Sequence, residues 1–126
     1  MTKRVLIVDD EQRVLFVLRH TVAGMGDGYD VVAVSGAEAA LDEIAQNTVD
    51  LVITDLFMPG TDGLELTERI RAAAADVPVI WITAHGCHRF ESKAVALRVF
   101  RCLDKPLEIS AIRRVAREAL GVEAEV

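Results

Sequence analysis

The residues able to do chemistry in this chain stand at the ends of apolar runs. Asp9 and Asp10 follow Val5-Leu-Ile-Val8, and Asp55 follows Leu51-Val-Ile-Thr. Thr83 ends the run from Val77, and Lys105 comes two residues after the run from Val99 to Leu103. Three carboxylates brought close together repel, and one is driven toward protonation unless a cation intervenes. A hard divalent cation held by oxygen ligands removes that conflict. Mg²⁺ suits the task, because it takes one or two carboxylates and keeps positions open for water and phosphoryl oxygens. An aspartate beside such a cation can attack a phosphoryl donor and become an aspartyl phosphate. The transferring group then needs its equatorial oxygens stabilised, which a lysine and a hydroxyl can do. Asp55 is therefore the candidate nucleophile, with Lys105 and Thr83 as its supports.

For that chemistry to occur, the four runs must share one edge, so the elements between them matter. Val5–Val8 reads as a strand covered on both faces, because it is apolar without alternation. Residues 12–23 carry Val14, Leu15, Leu18 and Val22 at helical spacing. Gly24 to Gly28 turns the chain into a second strand, Tyr29 to Val34. Ser35-Gly-Ala-Glu38 has capping-box spacing and predicts a helix through Ala40, Leu41, Ile44 and Ala45. The third strand is Val49 to Thr54, ending at Asp55. Asp62-Gly-Leu-Glu65 opens a third helix with Leu66, Ile70 and an alanine run to Ala75. Pro78 lies near the start of a fourth strand, Val77–Thr83, where a missing N–H is tolerated. A loop over 84–88, a short helix over 89–98 and a fifth strand over Val99–Leu103 follow. The last helix, 108–120, carries Ile109, Ile112, Val115, Ala116 and Leu120 on one stripe, and Gly121 ends it. Strands separated by helices pair in parallel with right-handed crossovers, so the predicted fold is α/β, a three-layer αβα sandwich. One domain over 1–121 is expected, with 122–126 as a short C-terminal tail or the start of a linker.

The composition narrows the class. The net charge of −6 argues against non-specific nucleic-acid binding. It is unevenly spread: residues 1–63 balance at −7 and residues 64–126 at +1. The basic residues gathered between Arg89 and Arg117 read more plainly as a solvated face than as a contact for an acidic partner. No apolar stretch is long enough for a signal h-region or a membrane span, so a cytoplasmic location is expected. Two cysteines, Cys87 and Cys102, are too few for a disulfide scaffold, and reduced thiols are the expectation.

The set Val8-Asp9-Asp10-Glu11, Asp55-Leu-Phe-Met-Pro-Gly-x-Asp-Gly63, Thr83-Ala84 and Lys105-Pro106 resembles bacterial response-regulator receiver domains over residues 4–120. The resemblance implies a flavodoxin-like five-stranded parallel sheet of order 2-1-3-4-5. It implies that Asp55 takes a phosphoryl group from a sensor histidine kinase or phosphotransfer protein, within two-component signalling. Asp10, Asp55 and the Phe57 backbone carbonyl would ligate Mg²⁺ directly, and Asp9 through water. Lys105 would pair with the phosphoryl group, Thr83 would swing to hydrogen-bond it, and Lys105-Pro106 would be a cis peptide. Phe57 and His85, two residues past the acceptor and the threonine, would set the lifetime of the aspartyl phosphate. Cys102 stands where the family usually has the aromatic residue of its switch. Phe100, two residues earlier and so expected on the same strand face, is the candidate substitute. The resemblance also admits a homodimer through the fourth helix, fifth strand and fifth helix. Against that dimer, Phe100-Arg101 replaces the acidic pair common in members joined to winged-helix domains.

Other readings were open to these residues. An aspartate-nucleophile phosphohydrolase would need a second acid two residues after Asp55, where Phe57 stands. A receiver-like interaction domain that works without phosphorylation draws its support from Cys102. His85, Cys87 and His88 offer three zinc-type ligands but lack a fourth nearby, so an ordinary loop is the plainer reading. His20, in the middle of a helix, reads as a surface residue rather than a phosphocarrier.

Overall fold

A computed structural model describes residues 2–73 and 76–122. Five strands alternate with five helices: β1 Lys3–Val8, α1 Gln12–Ala23, β2 Tyr29–Val34, α2 Ala37–Gln46, β3 Leu51–Asp55, α3 Gly63–Ala72, β4 Val79–Thr83, α4 Glu91–Ala96, β5 Arg101–Asp104 and α5 Ile109–Leu120. A 3-10 turn, Cys87–Phe90, precedes α4. The strands form one parallel sheet in the order β2-β1-β3-β4-β5. This is the flavodoxin-like arrangement that the resemblance implied.

The strands are apolar without alternation because both sheet faces are covered. Val5, Ile7, Leu51, Ile53, Ile80 and Ile82 point to one side, against Leu18 and Val22 of α1 and Val115 and Ala116 of α5. Leu6, Val8, Val52, Val79 and Trp81 point to the other, against Ala40 of α2 and Leu66 and Ile70 of α3. Trp81 is wholly buried, and its indole N–H donates to Thr67 Oγ1 at 2.8 Å, so the one polar atom of that side chain is satisfied.

Helix ends follow local chemistry in two places and depart from it in two others. Asp62 caps α3, its Oδ1 accepting the Glu65 N–H at 2.9 Å. Gly121 takes φ 69° after α5. There the Gly121 and Val122 N–H groups reach Glu118 and Arg117 carbonyls, the pattern that ends a helix in a left-handed residue. The capping box expected at Ser35 is not formed: α2 begins at Ala37, Gly36 is its cap and no side chain caps it. The predicted helix over 89–98 contracts to α4, and β5 begins at Arg101 rather than Val99. Arg98, at φ 56°, turns the chain between them, with Arg98 N–H on Val95 O and Val99 N–H on Ala94 O. Arg71 holds this corner by donating to the carbonyls of Leu97, Arg98 and Val77. Ile109, expected on the buried stripe of α5, is 52% exposed. The alanine run at 74–75 and tail residues 123–126 lie outside the described residues.

Candidate functional site

The register of a parallel sheet aligns strand ends. Val8 lies beside Thr54, Asp55 beside Ile82, and Thr83 beside Asp104. Asp9, Asp55, Thr83 and Lys105 therefore leave the sheet along one edge, where open α/β folds place their ligands.

Asp55 is the last residue of β3 and is 5% exposed. Its Oδ1 accepts the Phe57 N–H at 3.3 Å, and its Oδ2 lies 3.2 Å from Lys105 Nζ. Lys105 is held by the β5 ladder, which its N–H extends by donating to Thr83 O at 2.8 Å. The Lys105-Pro106 peptide is cis, as the resemblance implied. Gly63 fixes the other side of Asp55. Its N–H donates to Leu56 O at 3.0 Å, and a Cβ there would collide with the Asp55 carbonyl. The glycine is thus required by close backbone approach.

Asp9 is wholly buried. Its Oδ1 accepts the Glu11 N–H at 2.9 Å, while Oδ2 has no hydrogen-bond partner. The Lys105 ammonium lies 3.7 Å from that oxygen and 3.7 Å from Glu11 Oε1. Burial pushes the Asp9 carboxyl up to about 6; the Glu11 N–H pulls it down and the charge of Asp55 pushes it further up. For Lys105, burial disfavours the charged form, but Asp9 and Asp55 outweigh it and hold its pKa above the ordinary value.

Asp9, Glu11 and Asp55 offer ligand atoms that all lie within 4.8 Å of one another. A buried carboxylate oxygen without a partner, in an all-oxygen set, fits a hard divalent cation. Asp10, expected as a direct ligand, is exposed and outside this group. Glu11 is in it instead. Nothing in the sequence singled out Glu11 from the acidic run Asp9-Asp10-Glu11.

Thr83 is wholly buried, with its Oγ1 accepting the His85 N–H at 3.0 Å. Phe57, 44% exposed, stands with its ring 4.3 Å from that of His85 and 5.6 Å from that of Phe90. The two expected lifetime residues are therefore in contact. Phe90 completes the aromatic group, and nothing in the sequence marked it.

Two expectations need correction. Cys87 and Cys102 are joined as a disulfide, so they are not the reduced thiols expected. That bond also removes Cys87 from the zinc reading. Among the described residues, the one metal-capable group is the acidic one. Phe100 and Cys102 do not share a face. Phe100 packs with the α1/α5 side of the core and Cys102 with the opposite side. Two-residue alternation holds only along an extended strand, and Phe100 precedes β5 at the corner turned by Arg98. His20 is exposed on α1, its ring nitrogen 2.9 Å from Phe16 O, as a surface residue would be.

A doubly wound parallel sheet with an acidic pocket, a threonine and a lysine at its carboxyl edge defines a class of small phosphoryl-handling α/β modules. The family model described as the response regulator receiver domain matches residues 5–117, and the chain belongs to that family. It is 38% identical over 122 residues to the response regulator protein FleR of Pseudomonas aeruginosa, covering 96% of this chain and 25% of FleR. It is 33% identical to the sensor protein GacS of Pseudomonas syringae, covering 94% of this chain and 14% of GacS. The chain thus spans a quarter or less of these two relatives. A response regulator receiver domain from Clostridium thermocellum superposes with TM-score 0.85 at 25% identity, covering 94% of each chain. The signal receiver domain of an HD domain-containing protein from Pseudomonas fluorescens superposes with TM-score 0.87 at 26% identity, covering 96% of each. The chain is therefore a receiver domain of two-component signal transduction, and its relatives include both response regulators and sensor kinases. Among the described residues, no helix is long and apolar enough to cross a membrane.

Proposed function

We propose that Asp55 accepts a phosphoryl group from a phosphohistidine of a sensor histidine kinase or phosphotransfer protein, in the cytoplasm. The observation that carries this is the Lys105 ammonium, 3.2 Å from Asp55 Oδ2, beside a buried Asp9 oxygen without a hydrogen-bond partner. In the transfer an Asp55 carboxylate oxygen attacks phosphorus, the P–N bond breaks, and the imidazole leaves as the neutral ring, taking a proton where one is needed. Lys105 is oriented to follow the negative charge from the carboxylate onto the phosphoryl oxygens. Thr83 Oγ1 carries a hydroxyl proton that can be donated to a phosphoryl oxygen once the segment after Thr83 rearranges. Asp9, Glu11 and Asp55 would hold Mg²⁺, with Asp10 and the Phe57 carbonyl joining as the resemblance implies. When bound, the cation supplies positive charge that offsets the carboxylates and the developing phosphoryl charge. Beside the pocket, an apolar groove of about 260 Å³ is lined by Val14, Val17, Pro106 and Leu107, with Arg13 and Lys105. That groove supports docking of a phosphodonor next to Asp55.

The module works as a switch: phosphoryl acceptance changes a surface that an output domain or partner reads, and residues 1–121 form the receiver unit. Its own chemistry is limited to phosphotransfer and dephosphorylation. Buried Leu56 and the ring of Phe57 follow Asp55, so no side chain there could protonate a leaving group as a phosphohydrolase requires. Nucleic acid and membrane are not partners in this reading. The homodimer through α4, β5 and α5 stays an inference from the resemblance; Arg101 on that face already pairs with Glu118 at 3.6 Å within the chain.

The test is incubation with acetyl phosphate and Mg²⁺, followed by intact mass. One added phosphoryl group that is lost on treatment with hydroxylamine, absent in Asp55→Asn and absent in EDTA, is the expected result. Labelling that persists in Asp55→Asn would refute it.

A further inference from the structure

Cys87 opens the 3-10 turn after β4, and Cys102 is the second residue of β5. They are the two cysteines of the chain, 15 residues apart in sequence, with Cα atoms 5.7 Å apart. The pair is brought together because β4 and β5 are neighbours in the sheet. Its bond closes a ring around α4. Cys87 is held to β5 a second time, by its N–H donating to Asp104 Oδ1 at 2.8 Å. Between Thr83 and this double tether lie only Ala84, His85 and Gly86, and it is the His85 N–H that occupies Thr83 Oγ1. The disulfide therefore restrains the segment that Thr83 must carry with it to reach a phosphoryl group. Both cysteines are half-buried, and both line an open groove of about 340 Å³ with Ala94, Val95 and Phe100, so a small thiolate has access to the sulfurs.

We propose that Cys87 and Cys102 form a reversible redox site whose substrate is a reduced dithiol, and that its state sets how readily the domain is phosphorylated. The proposal rests on the reading of Asp55 as phosphoacceptor for its functional half only. In the exchange, one thiolate of the dithiol attacks a disulfide sulfur, the S–S bond breaks and a mixed disulfide forms. The second thiol of the reagent then displaces the protein sulfur. Two electrons and two protons pass to the protein, which becomes the dithiol form, and the reagent leaves as a disulfide. In the oxidised form Cys87 is tied to β5 and Thr83 Oγ1 stays with the His85 N–H. In the reduced form the covalent tie is gone and only the Cys87 N–H bond to Asp104 Oδ1 holds the segment to β5, so Thr83 leaves His85 more readily.

The experiment uses the full chain with dithiothreitol as the dithiol. Intact mass after alkylation counts free thiols: none before reduction and two after it are expected. Hydrogen exchange over residues 84–98 should quicken on reduction, and acetyl phosphate should label the reduced form faster by about fivefold or more, the lower end of coupling between sites. Cys87→Ser/Cys102→Ser should match the reduced form in both measurements and ignore dithiothreitol. Two alkylated thiols in protein never exposed to reductant would overturn the proposal, as would equal exchange and equal labelling in the two redox forms. Labelling absent from both forms would instead refute the phosphoacceptor reading, and faster exchange on reduction would then still support the redox site.

Discussion

Replacing Asp9 by Asn should make the metal-free protein more stable at neutral pH, although the residue is wholly buried in the site. Burial, with the charge of Asp55, raises the Asp9 carboxyl from 3.8 to about 6, against the opposing Glu11 N–H. The folded state thus binds this proton more tightly than the unfolded state, and stability from this group falls as pH rises from about 4 to about 6. Above that window the ionised carboxylate costs the fold about 3 kcal/mol, at roughly 1.4 kcal/mol for each tenfold change in affinity. An Asn keeps an oxygen for the Glu11 N–H and carries no charge. It gives up the attraction of Lys105, which keeps Asp55 and Glu11 nearby. The net gain expected for Asp9→Asn is about 1–3 kcal/mol at pH 7.5 in EDTA, shrinking toward zero at pH 4, where both proteins are uncharged there. Trp81, the single tryptophan and wholly buried, reports urea unfolding by fluorescence in both proteins. Millimolar Mg²⁺ should then stabilise the wild type and have little effect on Asp9→Asn. An Asp9→Asn protein no more stable than wild type at pH 7.5, or a gain unchanged at pH 4, would refute the reasoning.

The remaining expectations concern neighbours of the site. Gly63→Ala forces a methyl against the Asp55 carbonyl and should cost about 1–3 kcal/mol, read from urea unfolding, and slow labelling of Asp55 by acetyl phosphate. Phe57→Asn removes a ring that packs on His85 and Phe90 beside the acceptor, and should shorten the aspartyl-phosphate half-life measured by loss of label; an unchanged half-life would show that the ring does not exclude water. Arg98→Gly relieves a left-handed residue at the end of α4 and should stabilise by up to about 1 kcal/mol in the same unfolding assay. Reduction of the Cys87–Cys102 bond reopens a 15-residue ring and should destabilise by about 3 kcal/mol on chain-entropy grounds, seen as a lower Tm in dithiothreitol.

Much of this molecule is local, and local features are legible in a sequence. Each strand is an apolar run that must be covered on both faces, and each helix begins or ends near a residue of suitable chemistry, such as Asp62 or Gly121. Residues that follow the end of a strand in a parallel sheet share an edge whatever the details of packing, so the sequence alone groups Asp9, Asp55, Thr83 and Lys105. The strand order came from resemblance, since spacing does not distinguish one right-handed winding from another. The limits appear where two segments far apart in sequence meet. Asp9, not Asp10, is the enclosed carboxylate, and Glu11 joins it: Asp9 is buried with its Oδ1 held by the Glu11 N–H, whereas Asp10 is exposed. Phe100 and Cys102 face opposite sides because Phe100 lies in the bend before β5 begins at Arg101, where strand alternation does not hold. The pairing of Cys87 with Cys102 depends on β4 and β5 being neighbours and on the register that sets Thr83 beside Asp104. Residue types and periodicities determined the elements, the edge and the candidate nucleophile. Only the tertiary structure decided which acid loses its water, which aromatic rings meet and which sulfurs touch, because burial and contact belong to packed neighbours rather than to any single stretch of chain.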